Sequence, residues 1–442
     1  MNDTNEIKII GKIIHSWNLS LSATQGWLKL AEFLDNAHGN AGLVLWAHDA
    51  LSAIKTGEKE RLVAAAHLCA IFLAQNQGHT LLYTDSPLLH ELLRGIHEAS
   101  GDDFFEPETA LQVFEKSLQG PLAPLFAGDA ASAPFVREET ALQLGQTRWM
   151  EDNCIRLLQE RMDAPLRPAC ADPMENYTGN LDEQQRKMIR QAVVRRVFWV
   201  SGGPGTGKTT CIHGLLHALG RLGVTAERVA LAAPTGKAAF RITSSLRRMA
   251  SPGRGPFDEA VLGGRLEAMT LHRLLEYQPR TDRFGRHEGN PLDLDCVIVD
   301  ESSMVDLFML HALLRALPME SSVIFVGDQN QLPAVGQGAP FQTAWEFSEC
   351  RPDFFFRLER NYRAHQELFQ DLNFLLNDDR SLQWHSHEIH DANNNGLFLH
   401  HISNDAEFLA FLDQVFQENY NDSYWELALA RHRLSDMAAP AH

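Results

Sequence analysis

Residues 201–210 read SGGPGTGKTT, in which Gly202, Gly207, Lys208 and Thr209 satisfy the spacing G-x-x-x-x-G-K-[ST]. Each residue type has a task in gripping a chain of phosphates. Glycines let the backbone curl so that successive N–H groups point inward at phosphate oxygens, and a helix that follows adds the partial positive charge of its N-terminus. The lysine reaches the β- and γ-phosphates, and the hydroxyl after it holds Mg²⁺. Gly202, Gly203, Pro204, Gly205, Thr206, Gly207, Lys208, Thr209 and Thr210 are therefore the expected ATP cradle. Residues 296–304, CVIVDESSM, present Asp300 and Glu301 after an apolar run. Such a pair suits Mg²⁺-dependent hydrolysis: Asp300 shares the metal with Thr209, and Glu301 orients or deprotonates the attacking water. Residues 327–333, GDQNQLP, follow another apolar run. They place Gln331 where an amide at a strand end can hydrogen-bond the γ-phosphate and report its loss.

These groups must converge, and the pattern around them says how. Apolar runs of strand length at 197–200, 229–233, 296–299 and 323–326 alternate with helical segments. Buried strands alternating with helices predict an α/β fold, a parallel and doubly wound sheet. Residues 1–165 read as a mostly helical domain, with a buried helix over 60–75 and strand-like pieces at 80–84 and 135–144. Residues 166–180 concentrate Pro, Asp, Asn and Gly and read as a linker. One α/β domain carrying these groups is expected over 181–350, with a Gly/Pro-rich surface excursion at 247–264, and a further domain is expected to begin at 351.

The chain has 442 residues, 44% apolar and 22% charged, which describes a globular protein and excludes a disordered or fibrous one. No apolar stretch approaches the ~20 residues of a membrane helix, and the acidic N-terminus lacks a secretion signal. Six cysteines lie without close pairs, so neither a zinc site nor a disulfide framework is suggested. A cytoplasmic protein without a membrane partner is expected. The net charge of −18 hides a gradient. Residues 1–180 hold 13 Lys/Arg against 24 Asp/Glu, residues 181–366 hold 23 against 20, and residues 367–442 hold 3 against 13. Only the middle segment is basic, and it is rich in Arg, the side chain suited to bidentate phosphate contact.

Further blocks around this pocket carry a family resemblance. GDxxQLP after a phosphate loop and a DE pair resembles motif III of superfamily 1 helicases of the 5′-to-3′ kind. LAAPTGKAA at 231–239 is similar to their motif Ia, which implies contact with single-stranded DNA by Pro234, Thr235 and Lys237. MTLHRLL at 269–275 resembles the block that follows, bringing His272 to the DNA side. LDEQQ at 181–185 is similar to the adenine-reading segment, with Gln185 as the matching glutamine, and LERNYR at 358–363 resembles motif IV, whose arginine, here Arg363, touches the γ-phosphate. Within this group the chain most resembles the RecD-type alpha subunits of bacterial exodeoxyribonuclease V. That resemblance implies a P-loop, RecA-like motor using ATP and Mg²⁺ on single-stranded DNA and double-strand ends. It further implies a heterotrimer with beta and gamma subunits, the helical N-terminal domain docking on gamma, in recombinational repair.

The family pattern has two more blocks, a TxHKxQG-like and a TRA-like stretch, and neither follows Arg363. The acidic tail to His442 reads as a truncation that leaves the second motor domain, residues 351–442, incomplete. A missing arginine finger costs about 10³–10⁵ in rate, so the resemblance implies retained nucleotide binding with impaired hydrolysis. The competing reading is a nucleotide-binding assembly module that docks partners without translocating. Another P-loop class, such as an AAA+ ATPase, is disfavoured by GDQNQLP and TLHRLL. His385, His387, His390, His400 and His401 read as solvated surface rather than a metal site. Trp17, Trp27 and Trp46 read as core rather than as base-stacking platforms. Arg241, Arg247 and Arg248 either meet phosphates or form an ordinary exposed helix face.

Overall fold

The apolar runs of the middle segment become the central strands of one parallel sheet. The computed structural model describes residues 3–362 except 18, 39–41, 53, 55–56, 77, 85, 101–115, 117, 121, 129–132, 169–171, 282 and 361. Arg363, the histidines at 385–401 and nearly all of 351–442 beyond the last strand lie outside the described residues.

In the N-terminal region, helices α1 (Asp3–His15), α2 (Leu21–His38), α3 (Leu43–Ser52) and α5 (Pro87–Ser100) surround α4 (Glu58–Asn76). Helix α4 is apolar on every side: Leu62 to Ala66, Leu68 to Ile71, Leu73 and Ala74 are all buried, as a helix hydrophobic all round must be. Trp27 is buried, and Trp17 stacks flat on His48 with centroids 3.5 Å apart. Trp46 is partly exposed but packs edge-on against Phe72 and Phe135. A small sheet of β1 (Leu82–Tyr83), β2 (Phe126–Ala127), β3 (Phe135–Glu138) and β4 (Ala141–Leu144), in the order β1-β4-β3-β2, adds Leu82, Phe135 and Leu142 to the same core.

The motor sheet comprises β5 (Val197–Gly202), β6 (Val229–Ala233), β7 (Met269–Thr270), β10 (Cys296–Val299), β11 (Ser322–Gly327) and β12 (Phe355–Leu358), in the order β12-β5-β11-β10-β6-β7 and parallel throughout. Side chains alternate between the two faces of a strand, and the strands fill two cores accordingly. Phe198, Val200, Ile298, Ile324 and Val326 join one core with α7 (Glu183–Ala192), α8 (Lys208–Arg221) and α9 (Gly236–Met249). Val197, Trp199, Val297, Val299, Val323 and Phe325 join the other with α6 (Gly145–Asp163), α12 (Leu307–Ala316) and α13 (Pro340–Glu346). Helices on both faces make this the doubly wound arrangement expected.

Four expectations about segment boundaries are corrected. Residues 355–358 do not open a second domain: β12 pairs in register with β5, Leu358 opposite Gly202, and the first compact unit runs Met1–Asn361. The expected linker is docked instead, with Met174 and Tyr177 buried in the motor core and Asp172 accepting from Arg190 at 3.0 Å. Helix α6 belongs as much to the motor as to the N-terminal region. Its buried Arg161 donates to the carbonyls of Leu314 (3.3 Å) and Leu317 (2.8 Å), a cation at the C-terminal end of α12 where the helix dipole favours one. Within the expected surface excursion, α10 (Pro256–Leu262) buries Phe257, Ala260 and Val261.

The loop after β11 returns to the N-terminal region. There the Gly338 N–H donates to the Gly78 carbonyl at 3.0 Å.

Candidate active site

The phosphate loop leaves the end of β5 and closes on the first residue of α8. Gly207 caps that helix at φ 82°, a left-handed conformation that favours glycine. Gly202 faces a different constraint: a Cβ there would lie 2.5 Å from Thr206 Oγ1 and 3.0 Å from Leu358 Cβ. The loop holds its own shape through Thr206, buried, whose hydroxyl donates to the Gly203 carbonyl at 2.9 Å. Lys208 arches back over the loop and donates to the carbonyls of Gly202 and, at 3.3 Å, Gly203. Gly203 and Thr209 are half-buried and Pro204 is exposed, with Gly205 and Thr210 completing the cradle in the turn and first helical turn.

Gln185 has a structural task in this arrangement. Asp182 and Gln185 form a capping box at the start of α7, and the Gln185 amide donates to the Thr206 carbonyl at 3.1 Å. The glutamine expected to read adenine is buried and braces the phosphate loop from below.

Asp300 emerges at the end of β10, one strand beyond β11 from the loop, and is 2% exposed. Its Oδ1 accepts the Glu301 N–H at 2.9 Å. Burial pushes the Asp300 carboxyl up to about 6, and the Glu301 charge adds to that. The Glu301 N–H, the Lys208 ammonium and the Arg241 guanidinium oppose it. Lys208 and Asp300 thus sense each other electrostatically across the end of β11. Glu301 sits at φ 52°, a left-handed conformation that costs a non-glycine residue about 1–3 kcal/mol and recurs at functional sites. Its side chain is paired with Arg241 of α9. Gln331 follows β11, and its Oε1 faces the hydroxyl of buried Ser303 at 3.5 Å, tying the GDQNQLP loop to the DE loop.

Pro234, Thr235 and Lys237 lie where β6 passes into α9. Thr235 caps that helix, its Oγ1 accepting the Ala238 N–H at 3.2 Å, which leaves its own hydroxyl proton to donate outward. Lys237 is exposed one turn before Arg241. His272, on the short helix α11 (Leu271–Leu274), is exposed and packs against Tyr277 and Phe284 of the hairpin β8 (Tyr277–Gln278) and β9 (Arg283–Phe284). Lys208, Asp300, Glu301, Gln331, Thr235 and His272 all follow the carboxyl ends of parallel strands, where ligands bind in open α/β sheets. Arg363 lies outside the described residues.

Sequence reasoning missed three supports of this site. Ser201 Oγ accepts the Gln329 N–H at 3.1 Å and locks β5 to the Gln331 loop. Gln184 brackets β12, its side chain bonding the Arg357 carbonyl and the Glu359 N–H at 3.3 Å each. Arg241 engages Glu301, a pairing between residues sixty positions apart that spacing does not announce. Among the described residues no group of three or more His, Cys, Asp or Glu side chains is placed to hold a metal ion. The hard oxygens of Thr209 and Asp300 still suit Mg²⁺, which typically takes one or two protein ligands and fills the rest with phosphate and water.

An AAA domain family model matches residues 185–337. The RecBCD enzyme subunit RecD of Mycolicibacterium smegmatis is 41% identical over 162 residues, 36% of this chain and 29% of that protein. The ATP-dependent RecD2 DNA helicase of Deinococcus radiodurans is 31% identical over 296 residues, 64% of this chain and 36% of that one. Over part of its length the chain is similar to RecD subunits and to a RecD2 DNA helicase. It spans under a third of the length of the RecD subunits named first among its relatives. Among solved structures, the Pif1 helicase from Bacteroides in complex with ADP-AlF3 and ssDNA is 20% identical, covering 55% of this chain and 58% of that one, with a TM-score of 0.29. The parallel sheet, with its glycine-rich loop between β5 and α8, has the P-loop α/β fold. Among the described residues no helix is long and apolar enough to cross a membrane.

Proposed function

We propose that this chain binds ATP·Mg²⁺ and single-stranded DNA as the motor part of a 5′-to-3′ DNA translocase of the exodeoxyribonuclease V type. The observation that carries the reading is the convergence of Lys208, Asp300 and Gln331 at one end of one sheet. Three adjacent strands, β5, β11 and β10, deliver in that order a phosphate cradle, an amide and a buried carboxylate to one end of the sheet. In this reading the cradle from Gly202 to Thr210 holds the phosphates, and Lys208 exchanges loop carbonyls for phosphate oxygens. Thr209 and Asp300 hold Mg²⁺, which when bound neutralises charge on the phosphates. Glu301 orients water, while Gln331 and Arg363 respond to the γ-phosphate. The Arg-rich middle segment and the outward donors Thr235, Lys237 and His272 suit a phosphate backbone read with little sequence preference. The motif resemblance extends this reading to beta and gamma subunits as partners, the helical N-terminal region as the docking part, action at double-strand DNA ends and a cytoplasmic setting, and relatives named as RecBCD enzyme subunits support a multi-subunit assembly.

ATP hydrolysis with and without oligo-dT, alongside binding of a fluorescent ATP analogue, tests the reading. Nucleotide binding with weak turnover that DNA stimulates, both lost in Lys208→Gln, is the expected result, and strong DNA-stimulated turnover would overturn the expectation of impaired hydrolysis. Binding with no response to DNA would favour an assembly module instead. Absence of nucleotide binding in the parent chain would overturn both.

A further inference from the structure

We propose that Arg241 is shared between Glu301 and the backbone of bound single-stranded DNA, so that a strand seated on α9 draws Arg241 away and frees the Glu301 carboxylate. The inference rests on the translocase reading above and assigns Arg241 as a positioning residue that acts through Glu301.

The two partners are unequally placed. The Glu301 side chain is 12% exposed and belongs to the pocket, whereas Arg241 is 62% exposed and reaches it from outside. Only one terminal nitrogen of Arg241 engages the carboxylate, and a guanidinium carries five N–H donors in a planar fork. The remaining donors therefore face solvent on the side of α9 that also presents Lys237. Residues four apart on a helix are neighbours on one face, about 6 Å apart along the axis. Lys237, Phe240 and Arg241 consequently form one outward surface following the Thr235 cap, and the Phe240 ring is 74% exposed.

Magnitudes decide whether such a pair can act as a latch. An ion pair with one solvent-exposed partner shifts an equilibrium by about fivefold at most. One phosphate contact by an arginine is of similar size, so a single strand contact suffices to exchange the partner. A fully buried pair would not yield in this way. The neighbouring pairs Arg247–Glu267 and Arg265–Glu227 join exposed carboxylates, so exchange there would release nothing of chemical use.

A double-substitution cycle on oligo-dT affinity, measured by fluorescence anisotropy with the full chain, tests the latch without requiring turnover. The four forms are the parent, Glu301→Gln, Arg241→Gln and the double variant. Glu301→Gln is expected to tighten oligo-dT binding about three- to fivefold, because it releases Arg241. In the Arg241→Gln background the same change is expected to alter affinity by less than about 1.5-fold. Arg241→Gln alone should weaken binding and flatten the dependence of log affinity on log salt by about 0.7, one single-strand phosphate contact. Arg241→Lys should retain part of the coupling. Equal effects of Glu301→Gln in both backgrounds would mark a general charge effect and overturn the latch while leaving the translocase reading intact. Failure of all four forms to bind oligo-dT would overturn both.

Discussion

The helical N-terminal region and the motor sheet bury polar atoms in different ways. Around α4 the core is leucine, alanine and aromatic rings, with the fully buried His67 as a titratable exception. In the motor, Gln185, Ser201, Thr206, Asp300, Ser302, Ser303 and Asp328 are buried together beneath or beside one end of the sheet. Burying polar groups is expensive unless they are hydrogen-bonded, and perturbed carboxylates concentrate where chemistry is done. The first region is built for cohesion, and the second gives up cohesion at one edge to hold reactive groups ready.

Four substitutions break or sharpen that contrast. Leu68→Ala, at a fully buried site of α4, is expected to lower stability by about 2–5 kcal/mol in chemical denaturation, with nucleotide affinity within twofold of the parent. Lys208→Ala should do the reverse. Nucleotide affinity by calorimetric titration falls by about a hundredfold, while the melting temperature barely moves.

The other two concern pH, where the regions respond with opposite signs. Burial holds the His67 imidazole down to about 3, below the unfolded value near 6.5. The unfolded chain therefore takes up more protons between these limits, and stability is lost as pH falls through that window, at roughly 1.4 kcal/mol per unit. Urea midpoints between pH 7 and 4 should drop less steeply in His67→Gln than in the parent. For Asp300 the folded value lies above the unfolded one. The folded chain binds the extra proton, and stability falls as pH rises from about 4 to about 6. Asp300→Asn should therefore stabilise the protein by about 1–3 kcal/mol at pH 7.5, and this gain should disappear at pH 4. A stabilised variant that no longer turns over ATP would be the signature of a group kept for chemistry.

Much of the motor was legible in the sequence because its strands are buried on both faces and read as unbroken apolar runs, while the phosphate loop and DE pair have fixed spacings. The edges were not. β12 is four residues long, includes Arg357, and among the described residues pairs with β5 alone, so nothing local separates it from a domain start. The stretch before α7 reads as a linker from its prolines and asparagines. Its anchoring by Tyr177, whose hydroxyl meets His213 at 2.9 Å, depends on a partner distant in sequence. Helix α10 did carry a local sign in Pro256 at its first turn, a favoured helix-start position that the surrounding glycines obscured. The Gln185 amide and the Glu301–Arg241 pair are tertiary facts. Residue type placed these side chains at the site, and only packing determined what they touch.

The stitch between Gly338 and Gly78 has a mechanical meaning. The strip from Gln331 to Gly338 begins beside the carboxylate loop and ends fastened to the turn after α4. It is anchored along the way where the Leu307 N–H donates to the Gln337 carbonyl at 2.9 Å. A short tether pinned at both ends transmits displacement rather than absorbing it. On the function proposed above, a partner held on the helical region and a nucleotide met by Gln331 would be linked through this strip, and the linkage would run equally in both directions.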